Sequence, residues 1–142
     1  MGQETLCGGC QCGTVRFAIS GDVVWSGHCH CASCRRFTGG AMTTWLGIAD
    51  SAFDLEQGEI RYHRTSDGVA RGFCAGCGAS LTYSSTRFAN YLQIHAGGLD
   101  APERLVPQAH VHVGEQLPWL QIDDGLPRFV ASATDTDWRS SS

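Results

Sequence analysis

The sequence predicts a mainly β fold made of small antiparallel sheets arranged around cysteine knuckles. Three observations predict it. Short runs of β-forming residues recur between glycine-rich turns. No window carries a sustained apolar period of about 3.6 residues, so no long amphipathic helix is expected. Pro102, Pro107, Pro118 and Pro127 punctuate the last third of the chain and exclude long helices there.

The elements follow in order. Residues 14–20 alternate, with Val15, Phe17 and Ile19 on one face and Arg16 and Ser20 on the other, the pattern of a half-buried strand. Residues 23–26 continue as a short strand into a cysteine-rich stretch, within which residues 32–37 can turn as a short helix. Phe37-Thr38-Gly39-Gly40 is a tight connection, with Thr38 and Gly39 shaping the turn. Residues 42–48 are rich in β-formers, and Trp45 among them is expected in the core or on a pocket wall, as is Trp119. Residues 53–57 and 60–64, joined by Gly58-Glu59, read as a hairpin. Asp67-Gly68 marks a turn, and residues 69–73 lead into the last cysteine pair. Residues 81–84 and 90–96 are further strands, and His110 and His112 alternate with Val111 and Val113 as one face of another. Residues 1–130 are expected to form one domain, and the small, polar, serine-rich residues 131–142 a flexible tail.

At 142 residues the chain can bury a core unaided. A hydrophobic content of 42% with 17% charged residues separates it from disordered chains. No apolar run approaches the roughly 20 residues of a membrane helix. The first residues lack the basic and apolar regions of a secretory signal, so a cytoplasmic location is expected. The net charge is −4, and all ten basic residues are arginine. Two zinc ions held by seven thiolates would take the charge to about −7. Nucleic acid and anionic membrane are therefore not expected partners, since both require a clustered basic face. Oligomeric state leaves no readable trace.

Eight cysteines demand an explanation, and their spacing supplies one. They fall into Cys7/Cys10/Cys12, Cys29/Cys31/Cys34 and Cys74/Cys77. C-x-C and C-x-x-C pairs bring sulfurs together locally, as metal sites do, whereas a disulfide there would close almost no loop. Glycines between the ligands let the backbone curl so that its N–H groups face the sulfurs. Cys10 and Cys12 with Cys74 and Cys77 make the natural halves of a four-sulfur structural zinc site that contributes folding energy directly. The stretch His28-Cys29-His30-Cys31-Ala32-Ser33-Cys34-Arg35-Arg36 then keeps three cysteines for a metal of its own. Three protein ligands, with the fourth place left for water or substrate, are the mark of a catalytic zinc.

At this point the sequence resembles the glutathione-dependent formaldehyde-activating enzyme family, which includes the centromere protein V relatives. Gly8-Gly9-Cys10-Gln11-Cys12-Gly13 with Val15-Arg16-Phe17, the run from Cys29 to Gly40, and Phe73-Cys74-Ala75-Gly76-Cys77-Gly78 carry the resemblance. Pro107-Gln108-Ala109-His110 and Leu117-Pro118-Trp119 through Arg128 resemble the family's C-terminal section, so roughly residues 6–130 are covered. The resemblance implies a structural zinc on Cys10, Cys12, Cys74 and Cys77 and a catalytic-type zinc on Cys29, Cys31 and Cys34. It implies a fold similar to that of methionine sulfoxide reductase B, with glutathione as co-substrate and formation of S-(hydroxymethyl)glutathione from formaldehyde. Cys7 departs from the family pattern: it can displace Cys10, pair with it in a disulfide, or stand by, and standing by is the favoured reading.

Three thiolates suit that chemistry. Sulfur donation weakens the Lewis acidity that generates zinc hydroxide, while coordination lowers the pKa of an exogenous thiol. A site of this kind is expected to act as a carbon–sulfur lyase, joining a small thiol to formaldehyde or another small electrophile, or cleaving the adduct. Arg35 and Arg36 can offset the charge or hold a glutathione carboxylate, and Arg35 is the candidate substrate contact. His28 and His30 are expected beside the metal but not on it, and His110 and His112 on a strand face. The rival reading is a non-catalytic binding module in which both metals are structural; a fourth protein ligand on the middle metal would favour it. A nucleobase deaminase needs His-x-Glu with Pro-Cys-x-x-Cys, and neither is present. A methionine sulfoxide reductase needs a redox cysteine outside the zinc sets, for which only Cys7 remains.

Overall fold

The structure, a computed structural model, describes residues 5–132. Most of the expected tail, residues 133–142, lies outside the described residues. In chain order the strands are β1 (Leu6–Gly9), β2 (Arg16–Ile19), β3 (Trp25–Cys29), β4 (Thr43–Ala49), β5 (Phe53–Gln57), β6 (Ile60–Ser66), β7 (Val69–Cys74), β8 (Ser80–Ser85), β9 (Tyr91–His95) and β10 (His110–Val111). One α-helix, α1 (Ala32–Thr38), interrupts them among the described residues. Among the described residues, the helical turns of the last third are all short 3-10 turns, as its prolines predict.

The strands form two sheets, one in the order β1-β2-β5 and one in the order β10-β3-β4-β9-β8-β7-β6. Every pairing is antiparallel except the two-residue parallel pairing of β10 with β3. The mainly β prediction therefore holds. Val15, Phe17 and Ile19 are each at most 1% exposed, and they share one core with Leu46, Ile48, Leu81 and Ile94 of the larger sheet. Burying each such side chain contributes about 1.5–3 kcal/mol, so the strand's alternation dictates which face closes onto the larger sheet. A second cluster, Trp25, Cys29, Cys34, Trp45 and Val111, forms beside the middle cysteines.

Three expectations are corrected. Residues 53–57 and 60–64 are strands, but they do not form a hairpin with one another. β5 pairs with β2, and β6 pairs with β7 across the Asp67-Gly68 turn. The Phe53 ring packs on Phe17 at a centroid distance of 5.4 Å, which holds β5 on the smaller sheet. Gly58, at φ 87°, carries the chain from one sheet to the other, and a Cβ there would lie 2.5 Å from the Thr14 carbonyl oxygen. The expected strand through His110 and His112 stops after Val111, because His112 adopts a left-handed conformation at φ 57°. Trp119 is 71% exposed and so lies outside the core, whereas Trp45 is buried.

Candidate metal centres and the cavity between sheet and helix

Cys10 and Cys12 lie in the turn between β1 and β2, Cys74 ends β7, and Cys77 sits in the turn before β8. Their four sulfurs lie within 4.8 Å of one another, a set that can hold a zinc-class ion tetrahedrally. Backbone amides face the sulfurs, as the interleaved glycines predict. Val15 N–H donates to Cys10 Sγ at 3.2 Å, and Gly76 and Cys77 N–H donate to Cys74 Sγ at 3.2 and 3.4 Å. The Thr14 hydroxyl holds the Cys12 thiol below its ordinary range, and the Ala79 amide does the same for Cys77. Both favour thiolate, the form that binds metal. The cluster also ties the β1–β2 turn of one sheet to the β7–β8 turn of the other.

The middle set is built differently. Cys29 closes β3, Cys31 is the N-cap of α1, and Cys34 lies one turn into the helix. Cys31 Sγ accepts from Cys34 N–H at 3.3 Å, so one side chain both caps the helix and faces Cys34. The three sulfurs lie within 4.8 Å of one another, and among the described residues no further cysteine, histidine or carboxylate joins them. Hydrogen bonds from Cys29 and Cys31, reinforced by Arg71, push the Cys34 thiol far down, whereas sharing with Cys31 and Cys34 pushes Cys29 up. Three adjacent thiolates repel one another, so the set accommodates all three only around a cation. The donor set therefore fits a soft divalent ion.

These sulfurs open onto a cavity of about 340 Å³, within the range of small-ligand sites. Trp45, Tyr83 and Arg71 line it with Cys29, Cys31 and Cys34. Arg71, on β7, is 3% exposed. Its Nη1 lies 3.6 Å from Cys34 Sγ and its Nη2 donates to Ser33 Oγ at 3.1 Å, while the guanidinium sits over the Tyr83 ring at 4.9 Å. Its Nε has no hydrogen-bond partner. Sequence reasoning missed this residue. The available signal was period: Val69, Arg71 and Phe73 share one face of a strand, which puts an arginine in an inward series.

Arg35 stands elsewhere. Its Nη1 donates to the carbonyl oxygens of His30 at 2.7 Å and Glu115 at 2.6 Å, and it does not line the cavity. Arg36 is exposed. His30 is fully buried with Nε2 2.8 Å from Nδ1 of His110, and it belongs to neither cysteine set. Cys7 also belongs to neither set, and all eight cysteines are free thiols.

The family model for the glutathione-dependent formaldehyde-activating enzyme (GFA) matches residues 5–115, most of the chain and both cysteine sets. The chain belongs to the GFA family. Among solved structures, this GFA-family chain is similar to a Rhodobacter sphaeroides protein determined by a structural genomics effort. The TM-score is 0.55 at 15% sequence identity, with 87% of this chain and 98% of that one covered. The likeness carries the fold alone. Among curated proteins none matches. No helix in the described residues is long and apolar enough to cross a membrane.

Proposed function

We propose that this GFA-family chain is a zinc-dependent carbon–sulfur lyase that joins a low-molecular-weight thiol, glutathione or a close analogue, to formaldehyde or another small electrophile. The observation that carries the reading is the convergence of an incomplete thiol set, Cys29, Cys31 and Cys34, on the wall of a cavity. Cys10, Cys12, Cys74 and Cys77 hold a structural zinc in this reading, giving two ions per chain. Zinc on the middle set supplies a place where an incoming thiol is held as thiolate.

The rest belongs to the chain's own side chains. Arg71 offsets the negative charge that three thiolates bring, from a buried position where its attraction is poorly screened. In this reading it takes over the charge-balancing part of the role that the sequence suggests for Arg35. Trp45 and Tyr83 give the cavity an apolar wall that limits water around a small aldehyde. In the reaction the thiol loses its proton and its sulfur forms a bond to the aldehyde carbon. The C=O π pair moves to oxygen, which takes up a proton, and the product is the hydroxymethyl thioether. The reverse breaks the same carbon–sulfur bond. We place the reaction in the cytoplasm, where reducing conditions keep the cysteines free.

The test is metal analysis together with calorimetric titration of glutathione, on wild type and Cys31→Ser. Two zinc ions per chain falling to one, with thiol binding lost alongside, is the expected result. Wild type that binds two zinc ions yet no thiol at millimolar concentration would instead mark a binding module with two structural metals.

A further inference from the structure

On the opposite face of β3 from the cavity, three side chains that play no part in the proposed reaction converge. Strand alternation sends His28 and Cys29 to opposite sides of the sheet. β10 lies parallel to β3 with His110 beside His28 and Val111 beside Cys29. Cys29 and Val111 face the cavity, so His28 and His110 are neighbours on the other side, their ring centroids 4.7 Å apart. Asp124, from the C-terminal section, completes the group. One ring nitrogen from each histidine and one Asp124 oxygen lie within 4.8 Å of one another.

Each of the three is also oriented from behind. His28 Nδ1 is 2.8 Å from Thr44 Oγ1, which leaves Nε2 for another partner. His110 Nδ1 is 2.8 Å from His30 Nε2, which turns His110 Nε2 toward Asp124 Oδ2 at 2.8 Å. Asp124 Oδ1 accepts from Leu126 N–H at 3.1 Å, which leaves Oδ2 for the histidines. Metal-binding imidazoles and carboxylates are fixed in this way, with the second nitrogen or oxygen held by a hydrogen bond. A plain Asp–His pair requires neither His28 nor its Thr44 partner.

We propose that His28, His110 and Asp124 form a third metal site, separate from both cysteine sets, for a divalent first-row transition ion of the Zn²⁺ and Co²⁺ class. Two imidazoles and one carboxylate disfavour Mg²⁺ and Ca²⁺, which take oxygen ligands, and lack the thiolates that mark the other two sites. Three protein ligands leave one place for water, and the Asp124 side chain, 33% exposed, opens the site to solvent. Binding shifts protons without net release. Without the ion, His110 Nε2–H donates to Asp124 and its Nδ1 accepts from His30. With the ion on Nε2, His110 carries its proton on Nδ1 and donates to His30 Nε2, whose own proton moves to Nδ1.

The probe is Co²⁺ added to the full-length protein loaded with two equivalents of Zn²⁺ and no more, which the thiolate-rich cysteine sets take first. The expected result is one further equivalent bound, with weak ligand-field absorption and no sulfur-to-cobalt charge transfer. Asp124→Asn and Thr44→Val should each weaken that binding by about tenfold or more. Asp124 is exposed and Thr44 half-buried, so both variants are expected to fold, which thermal unfolding checks. Absence of a further equivalent, charge transfer from sulfur, or equal affinity in wild type and both variants would each overturn the proposal. Charge transfer would report on the thiolate sites instead, so failure here is distinguishable from failure of the lyase reading.

Discussion

Among single residues, Arg71 is the one whose importance rests wholly on where the fold puts it. A buried guanidinium with one nitrogen on a cysteine sulfur and another on Ser33 Oγ balances thiolate charge at short range. Arg71→Met should therefore lower the zinc affinity of the three-cysteine set on the order of 10–100-fold. Competition against a chromophoric chelator measures this, and retention at the four-cysteine set serves as the internal control. An affinity unchanged at both sets would reduce Arg71 to a packing residue. His95 is a contrasting case. It lies against Trp45 at a centroid distance of 3.7 Å, and burial, helped by Arg71, pushes its pKa down to about 3. It is a neutral core histidine at physiological pH.

Among elements, the β5–β6 connection shows how a correct strand assignment can carry a wrong pairing. Gly58-Glu59 between two β-forming runs is a hairpin signal, and the local chemistry of the turn satisfies it. What overrides it is the burial of Phe53 against Phe17, which gives β5 a partner 40 residues or so upstream along the chain rather than the next strand. Gly58 is left at a positive φ with no room for a side chain. Gly58→Ala is expected to destabilise the protein by at least about 1 kcal/mol, since both the conformation and the contact oppose a Cβ. Urea unfolding at saturating zinc checks it; a midpoint equal to wild type would mean the backbone relaxes freely there. α1, by contrast, is specified locally. Its start coincides with Cys31 and its end with Gly39 at φ 79°, so the helix caps and the cysteine spacing are written in adjacent residues.

At the level of the whole molecule, the four-cysteine set joins two sheets that pack around one core, and the three-cysteine set sits on one sheet and its helix. Loss of the two should therefore differ in kind. Cys77→Ser is expected to lower the melting temperature strongly and remove cooperative unfolding, because a zinc held by that set would contribute folding energy directly. Cys31→Ser should keep a cooperative transition. Circular dichroism melts of both variants with measured zinc content decide it, and equal destabilisation would mean the two sets carry the same load.

The sequence by itself determined the mainly β class, most strand positions and the division of seven cysteines into four and three. Each of these is local: period, turn chemistry and C-x-C or C-x-x-C spacing act over a few residues, and a short run can satisfy them alone. Tertiary structure decided what meets across the chain. Which sheet takes β5, which arginine reaches Cys34 from 37 positions away, and which histidines gather on Asp124 all follow from sheet register. Register is settled by burial of whole faces at once, a sum over many distant side chains that no single window of sequence contains.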